Sequence, residues 1–265
     1  MAPVGGHPVA RREGRLDEHS FRHYLALGDS ISIDLYPGLD IQEREGLADT
    51  PTGLGAASLL YRNDDDRWPE FTGRDLRSRF SDLRPLDLTA DGATTGSTLA
   101  FQLPRVPADL DGPVLVTLTA GGNDLLGLLD IDLGRPATIP DGAGEAAVDE
   151  VARTLERIVD ELRTGLAEAT ILVGTVYDPS DGTGDLGDGV VRERELGWLA
   201  RFNERVKALS DPPDVRPIPI HDHFLRHGLS EPDPGARWYW RHSIIEPSAR
   251  GASEVRRLWL GAVEL

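Results

Sequence analysis

Tyr24-Leu25-Ala26-Leu27-Gly28-Asp29-Ser30-Ile31-Ser32 is the stretch whose reading decides the fold. A short apolar run ends in Gly-Asp-Ser. The run has the length and composition of a buried strand, and Gly28-Asp29 has the chemistry of a turn that ends one. A serine placed there sits at the carboxyl end of a strand, the edge at which open α/β sheets bind ligands and do chemistry. The same tripeptide also suits a plain turn leading into a helix cap. Two polar loops farther along the chain separate these readings.

Both loops end strands. Leu86-Asp87-Leu88 runs into the small-residue loop 89–96, which contains Asp91-Gly92-Ala93. The β-branched, apolar run 114–119 ends in Ala120-Gly121-Gly122-Asn123-Asp124. Beyond these, residues 170–176 read as a strand, and 215–220 as one interrupted by prolines, which suits a sheet edge. Helices are predicted over 70–80, over 98–103 up to Pro104, over 145–168 and over 192–209. A last one runs from 247 to about 263 with Pro247 in its first turn. Val148, Val151, Leu155, Ile158, Val159 and Leu162 form one apolar stripe at helical spacing. Pro37-Gly38 is expected to stop the run 31–36, and 38–69 reads as loop apart from the apolar segment 56–61. The alternation of strands and helices predicts a parallel sheet with helices on both faces.

Composition narrows the partners. The 265 residues suit one α/β domain over 21–265, behind a flexible leader over 1–20 that lacks the apolar segment of a secretory signal. The net charge of −17 argues against nucleic acid and against anionic membrane surfaces. Lys207 is the only lysine. With no cysteine there is no disulfide, thiolate nucleophile or Cys-ligated metal. No run approaches the ~18 apolar residues of a spanning helix, so a cytoplasmic location is the expectation. The oligomeric state is left open. Asp64-Asp65-Asp66 lacks the alternation and trailing Glu of a calcium loop and reads as a solvated turn.

In a parallel sheet the three polar loops emerge on one edge. A hydroxyl, a glycine N–H and a side-chain amide then stand near one another, which is what acyl transfer needs: a nucleophile for the carbonyl and fixed donors for the oxyanion. In order along the chain these blocks resemble the SGNH (GDSL-like) hydrolases. Gly28-Asp29-Ser30 resembles the first block, with Ser30 as nucleophile. Gly92 resembles the oxyanion glycine of the second, and Gly121-Gly122-Asn123-Asp124 the third, with Asn123 as oxyanion amide. The resemblance implies a flavodoxin-like three-layer αβα sandwich with a five-stranded, mostly parallel sheet. It implies no metal or cofactor, and a small-molecule ester substrate, often an acyl or acetyl ester of a sugar or lipid.

The fourth block departs from the family pattern, which is Asp-x-x-His-Pro with histidine as base. Here the chain reads Arg241-His242-Ser243-Ile244-Ile245-Glu246-Pro247, so Glu246 stands where the histidine should be and Ser243 where the aspartate should be. Three readings are open. In the first, His242 is the base and Glu246 orients it, since such pairs are defined by geometry and not by order. In the second, His221 or His223, beyond the last strand, supplies the base. In the third, Glu246 acts alone or nothing does, since an ordinary carboxylate at a helix N-terminus is a weak base for a serine hydroxyl. The first is preferred and gives Ser30, Gly92, Asn123, His242 and Glu246 as the candidate site. The alternative function is an impaired hydrolase scaffold that binds an acyl or sugar group through Asn123 and the Trp238/Trp240 loop. His227, Asp178-Pro179 and Arg250, Arg256 and Arg257 read as structural or surface residues.

Overall fold

The computed structural model describes residues 20–129, 142–187, 189–210 and 213–264. The expected leader, apart from its last residue, lies outside these. Five strands form one parallel sheet in the order β2-β1-β3-β4-β5. They are β1 (His23–Gly28), β2 (Arg84–Asp87), β3 (Val114–Thr119), β4 (Ala169–Gly174) and β5 (Val215–Ile218). Pro217 lies in the edge strand β5, where a missing N–H costs no ladder bond on the open side.

Successive strand residues point to opposite faces, and both faces are covered. Tyr24 and Ala26 pack with α2 (Ala56–Tyr61) and α9 (Ala249–Ala262). Leu25 and Leu27 pack with α6 (Ala143–Gly165) and α7 (Glu193–Lys207). The apolar stripe of α6 is buried as its spacing demands, apart from the half-buried Val151. This is the three-layer α/β sandwich expected from the resemblance.

Several local expectations are corrected. Pro37-Gly38 does not stop a helix but lies inside one, α1 (Leu35–Glu45). Pro37 falls in the first turn, where its missing N–H would have had no helical partner. Asp34 then accepts from Gly53 N (2.9 Å) and Gly55 N (2.7 Å), so part of the expected loop 38–69 is folded back onto α1. The expected helix over 70–80 is only a turn, Pro69–Phe71, followed by the short α3 (Leu76–Arg79), which Asp75 caps through Ser78 N at 2.9 Å. The helical segment near 98–103 starts earlier, with α4 (Thr95–Ser97), and widens into a π turn, Thr98–Gln102. Arg256 is not a surface residue. It is fully buried, donates to Asn63 Oδ1 (2.7 Å) and Ser253 Oγ (2.6 Å), and stacks 3.6 Å from the Phe71 ring centroid.

The largest correction concerns the C-terminal segment. Pro247 does not begin a helix. Tyr239–Trp240 (β6) and Ser243–Pro247 (β7) form an antiparallel hairpin, and α9 starts at Ala249 after an N-cap at Ser248. Ser248 Oγ accepts from Gly251 N (3.2 Å), and Asp40 on α1 accepts from Ala249 N (3.1 Å). The α9 N-terminus therefore has its own anionic and hydroxyl caps, and Glu246 is not one of them.

Candidate active site

Strand order reverses beside β1: β2 lies on one side of it and β3 on the other. At such a switch point the loops from neighbouring strands diverge and leave a crevice at the carboxyl ends. Ser30 stands there. The geometry behind it demands glycine at position 28. Gly28 has φ +123°, and a Cβ there would lie 1.8 Å from the Thr119 carbonyl oxygen. The Gln102 side chain brackets the same residue, accepting from Gly28 N (2.7 Å) and donating to Gly28 O (2.8 Å). Asp29 N donates to Thr119 O (2.9 Å), and Ser32 Oγ lies 2.8 Å from Thr119 Oγ1. The turn that carries Ser30 is thus held on both sides by the sheet and by the π turn.

The third loop shows the same economy. Gly121 has φ +109°, and a Cβ there would meet the Phe202 ring at 2.2 Å. This lets α5 (Gly122–Leu129) start directly after β3 with Asn123 in its first turn. Asn123 Nδ2 donates to Ala93 O (3.0 Å), and Asp124 accepts from Thr95 N and Thr95 Oγ1, both at 2.8 Å. These bonds tie the loop after β2 to the loop after β3. Gly92 lies in the former at φ +67°, exposed, and is not part of the cleft wall.

Ser30, Asp29, Asn123 and Glu246 line one open cleft. Its opposite wall is apolar: Leu125, Leu126 and Leu129 from α5, and Leu196, Trp198 and Leu199 from α7. The sequence shows Leu125–Leu129 as an apolar run. It hides the α7 contribution, because a stripe facing a cleft has the same spacing as one facing a core.

Glu246 reaches the cleft from β7. Tyr177, just past β4, donates to Ile245 O at 2.5 Å and stacks on Phe224, 4.9 Å between ring centroids, so the strand is anchored next to Glu246. Glu246 is 6% exposed and its Oε2 has no hydrogen-bond partner of normal geometry. Burial raises its carboxyl to about 7; the nearby Ser30 hydroxyl pulls the other way, and the Asp91 charge adds to the rise. Asp29, fully buried, is likewise raised to about 7, mainly by desolvation, despite hydrogen bonds from Ile31 N and Thr119.

The histidines go elsewhere. His242 is not paired with Glu246. It sits at the hairpin tip, its side chain 52% exposed, with Nε2 3.1 Å from Glu43 Oε1 and 3.1 Å from Arg241 Nε. The expected pair required His242 and Glu246 to meet in space. His242 lies at the turn before the extended β7, and at ~3.3 Å per residue the strand carries Glu246 away from it. His221, on the short α8 (Ile220–Phe224), has its Nδ1 3.1 Å from Val176 O. His223 Nε2 lies 3.0 Å from Glu254 Oε2, and His227 stacks on Trp238 at 3.7 Å between ring centroids. Among the described residues no histidine lines the cleft, and no cluster of His, Cys, Asp and Glu has the arrangement of a metal site. No described helix is long and apolar enough to cross a membrane.

Known proteins share this architecture. A lipase from a goat rumen metagenome superposes with a TM-score of 0.61 at 19% identity, over 91% of this chain and 97% of its own. A catalytic mutant of an acetylxylan esterase from Geobacillus stearothermophilus gives 0.59 at 17% identity, over 93% and 95%. An extracellular lipase from Streptomyces rimosus gives 0.53 at 17%, over 91% and 99%. At these identities the likeness is one of fold. No curated protein sequence matches the chain. The model of the GDSL-like Lipase/Acylhydrolase family, however, matches residues 26–253, from β1 into α9 and across every element that builds the cleft. By that match the chain belongs to the GDSL-like lipase/acylhydrolase family and is an ester-hydrolysing enzyme.

Proposed function

We propose that the enzyme cleaves carboxylic esters through an acyl-enzyme on Ser30, and that the acyl groups it takes carry an apolar chain longer than acetyl. The observation that carries this is the cleft itself: a buried serine hydroxyl at the sheet's switch point, with an amide donor beside it and an apolar wall opposite. Attack by Ser30 Oγ on the acyl carbonyl puts negative charge on the carbonyl oxygen. Asn123 has one amide hydrogen committed to Ala93 O and a second free for that oxyanion. The leucines of α5 and α7 remove the chain from water at ~0.8 kcal/mol per buried methylene. Neighbours of the same fold include both lipases and an acetylxylan esterase. The apolar wall favours lipase-like acyl groups over acetyl. The reading as a non-catalytic binder has no observation of its own in its favour.

The test is a p-nitrophenyl ester series from acetate to octanoate, with fluorophosphonate labelling mapped to a peptide. The expected results are covalent label on Ser30, and kcat/KM rising from acetate through butyrate and beyond. Label on another residue, or acetate as the best substrate, contradicts the corresponding half of the proposal. Asn123→Ala is expected to lose about 10²–10³ in kcat with a small change in KM, because its amide acts on charge present only in the transition state. Steady-state kinetics on the butyrate ester reads both.

A further inference from the structure

We infer that Glu246 itself takes the proton from Ser30, so that the enzyme works with a serine–glutamate pair in place of a serine–histidine one. This rests on the proposal that Ser30 is the nucleophile. Three observations carry it. Glu246 and Ser30 line the same cleft, and the Ser30 hydroxyl is near enough to favour the charged carboxylate. Glu246 Oε2 is buried without a conventional partner, whereas the buried carboxylates Asp40, Asp75 and Asp178 each accept two or three hydrogen bonds. And the five described histidines are held by other partners, away from the cleft.

An exposed carboxylate is a poor base for an alcohol, and this one is not exposed. The titratable groups that face it are Asp29 from the turn after β1, Asp91 from the loop after β2, Tyr36 on α1 and Tyr177 beyond β4; none is a cation. Burial and the neighbouring acids therefore raise its proton affinity toward neutrality, where a general base is most effective. The cycle balances with water alone. The Ser30 Oγ–H proton passes to Glu246 as the Oγ–acyl carbon bond forms and the carbonyl π pair moves to oxygen. On collapse the bond to the alkoxy oxygen breaks, and Glu246–COOH returns the proton to release the alcohol. Water then gives a proton to Glu246 and attacks the acyl carbon. Breakage of the Oγ–carbon bond returns that proton to Ser30 and frees the acid.

The experiment compares wild type with Ser30→Ala, Glu246→Gln, Glu246→Asp and His242→Ala, following hydrolysis of p-nitrophenyl butyrate and the fluorophosphonate labelling rate between pH 5 and 9. Circular dichroism establishes that each variant is folded. In the wild type both rates are expected to rise through a midpoint near 7 and level off. Glu246→Gln is expected to lose about 10²–10⁴ in both rates and to lose the rising limb. Glu246→Asp is expected to keep the limb at a reduced rate, and His242→Ala to stay within about twofold of wild type with the limb intact. Glu246→Gln with wild-type rates, while Ser30→Ala is inactive, overturns the base and leaves the nucleophile standing. Reduced rates in Glu246→Gln with the limb unchanged also overturn it, and assign the titration to Asp29. Activity surviving in Ser30→Ala overturns the nucleophile and this inference with it.

Discussion

Ser30→Ala is expected to lower kcat/KM for p-nitrophenyl butyrate by about 10⁴-fold or more, the scale found when a serine nucleophile is removed. The effect is large because no second serine or threonine lines the cleft: its other polar side chains are the carboxyls of Asp29, Asp178, Glu195 and Glu246, the Asn123 amide, and the rings of Tyr177 and Trp198. The fold should survive. The turn is held through backbone bonds of Gly28 and Asp29 and through Ser32 Oγ, none of which uses the Ser30 side chain. The variant also loses the donor that favours charged Glu246, so it should be less stable than wild type at alkaline pH by about 1–2 kcal/mol. Kinetics and thermal unfolding of one preparation check both.

Glu246→Gln is expected to be the more stable protein at pH 8, by about 1–3 kcal/mol, and to lose that advantage near pH 4.5. Folding raises the Glu246 carboxyl from 4.5 to about 7, so the folded state binds this proton more tightly than the unfolded one. Stability from this group is therefore full below about 4.5, falls as pH rises to about 7, and is absent above it. The shift corresponds to about 3 kcal/mol, reduced by the water that reaches the cleft mouth. Glutamine removes the buried charge and the pH dependence together. At roughly 2–4 °C per kcal/mol for a chain of this size, the gain is measurable as a Tm difference at pH 8 that closes at pH 4.5. Asp29 changes with the same sign and remains in both proteins, but the Glu246 charge helps to raise it, so part of the difference passes through Asp29. A variant that is steadier and inactive is what a strained functional charge predicts.

The sheet was legible because its strands are. Parallel strands buried on both faces read as short apolar runs, and β1, β3 and β4 do so within a residue or two of their ends. The helices of 15 and 23 residues, α7 and α6, were legible from periodicity. What escaped was short or capped: α1 behind Pro37, the fragments between 69 and 79, and the hairpin of β6 and β7. These elements are decided by caps and tertiary neighbours such as Asp34, Asp75 and Tyr177, whose partners lie far along the chain or across a turn.

By sequence alone, the order Gly28-Asp29-Ser30, Gly92, Asn123 determined the family resemblance and the edge of the sheet where chemistry belongs. Those residues lie in the turns that leave the strands or, for Asn123, in the first turn of the helix that follows, so local chemistry places them. The partner of Ser30 was decided only by tertiary structure. Residues 243–247 are a strand and not a helix start, which carries His242 to the surface beside Glu43 and leaves Glu246 in the cleft. A carboxylate's strength as a base depends on how much water surrounds it. That is a property of what packs against β7, and no pattern in the strand's own residues encodes it.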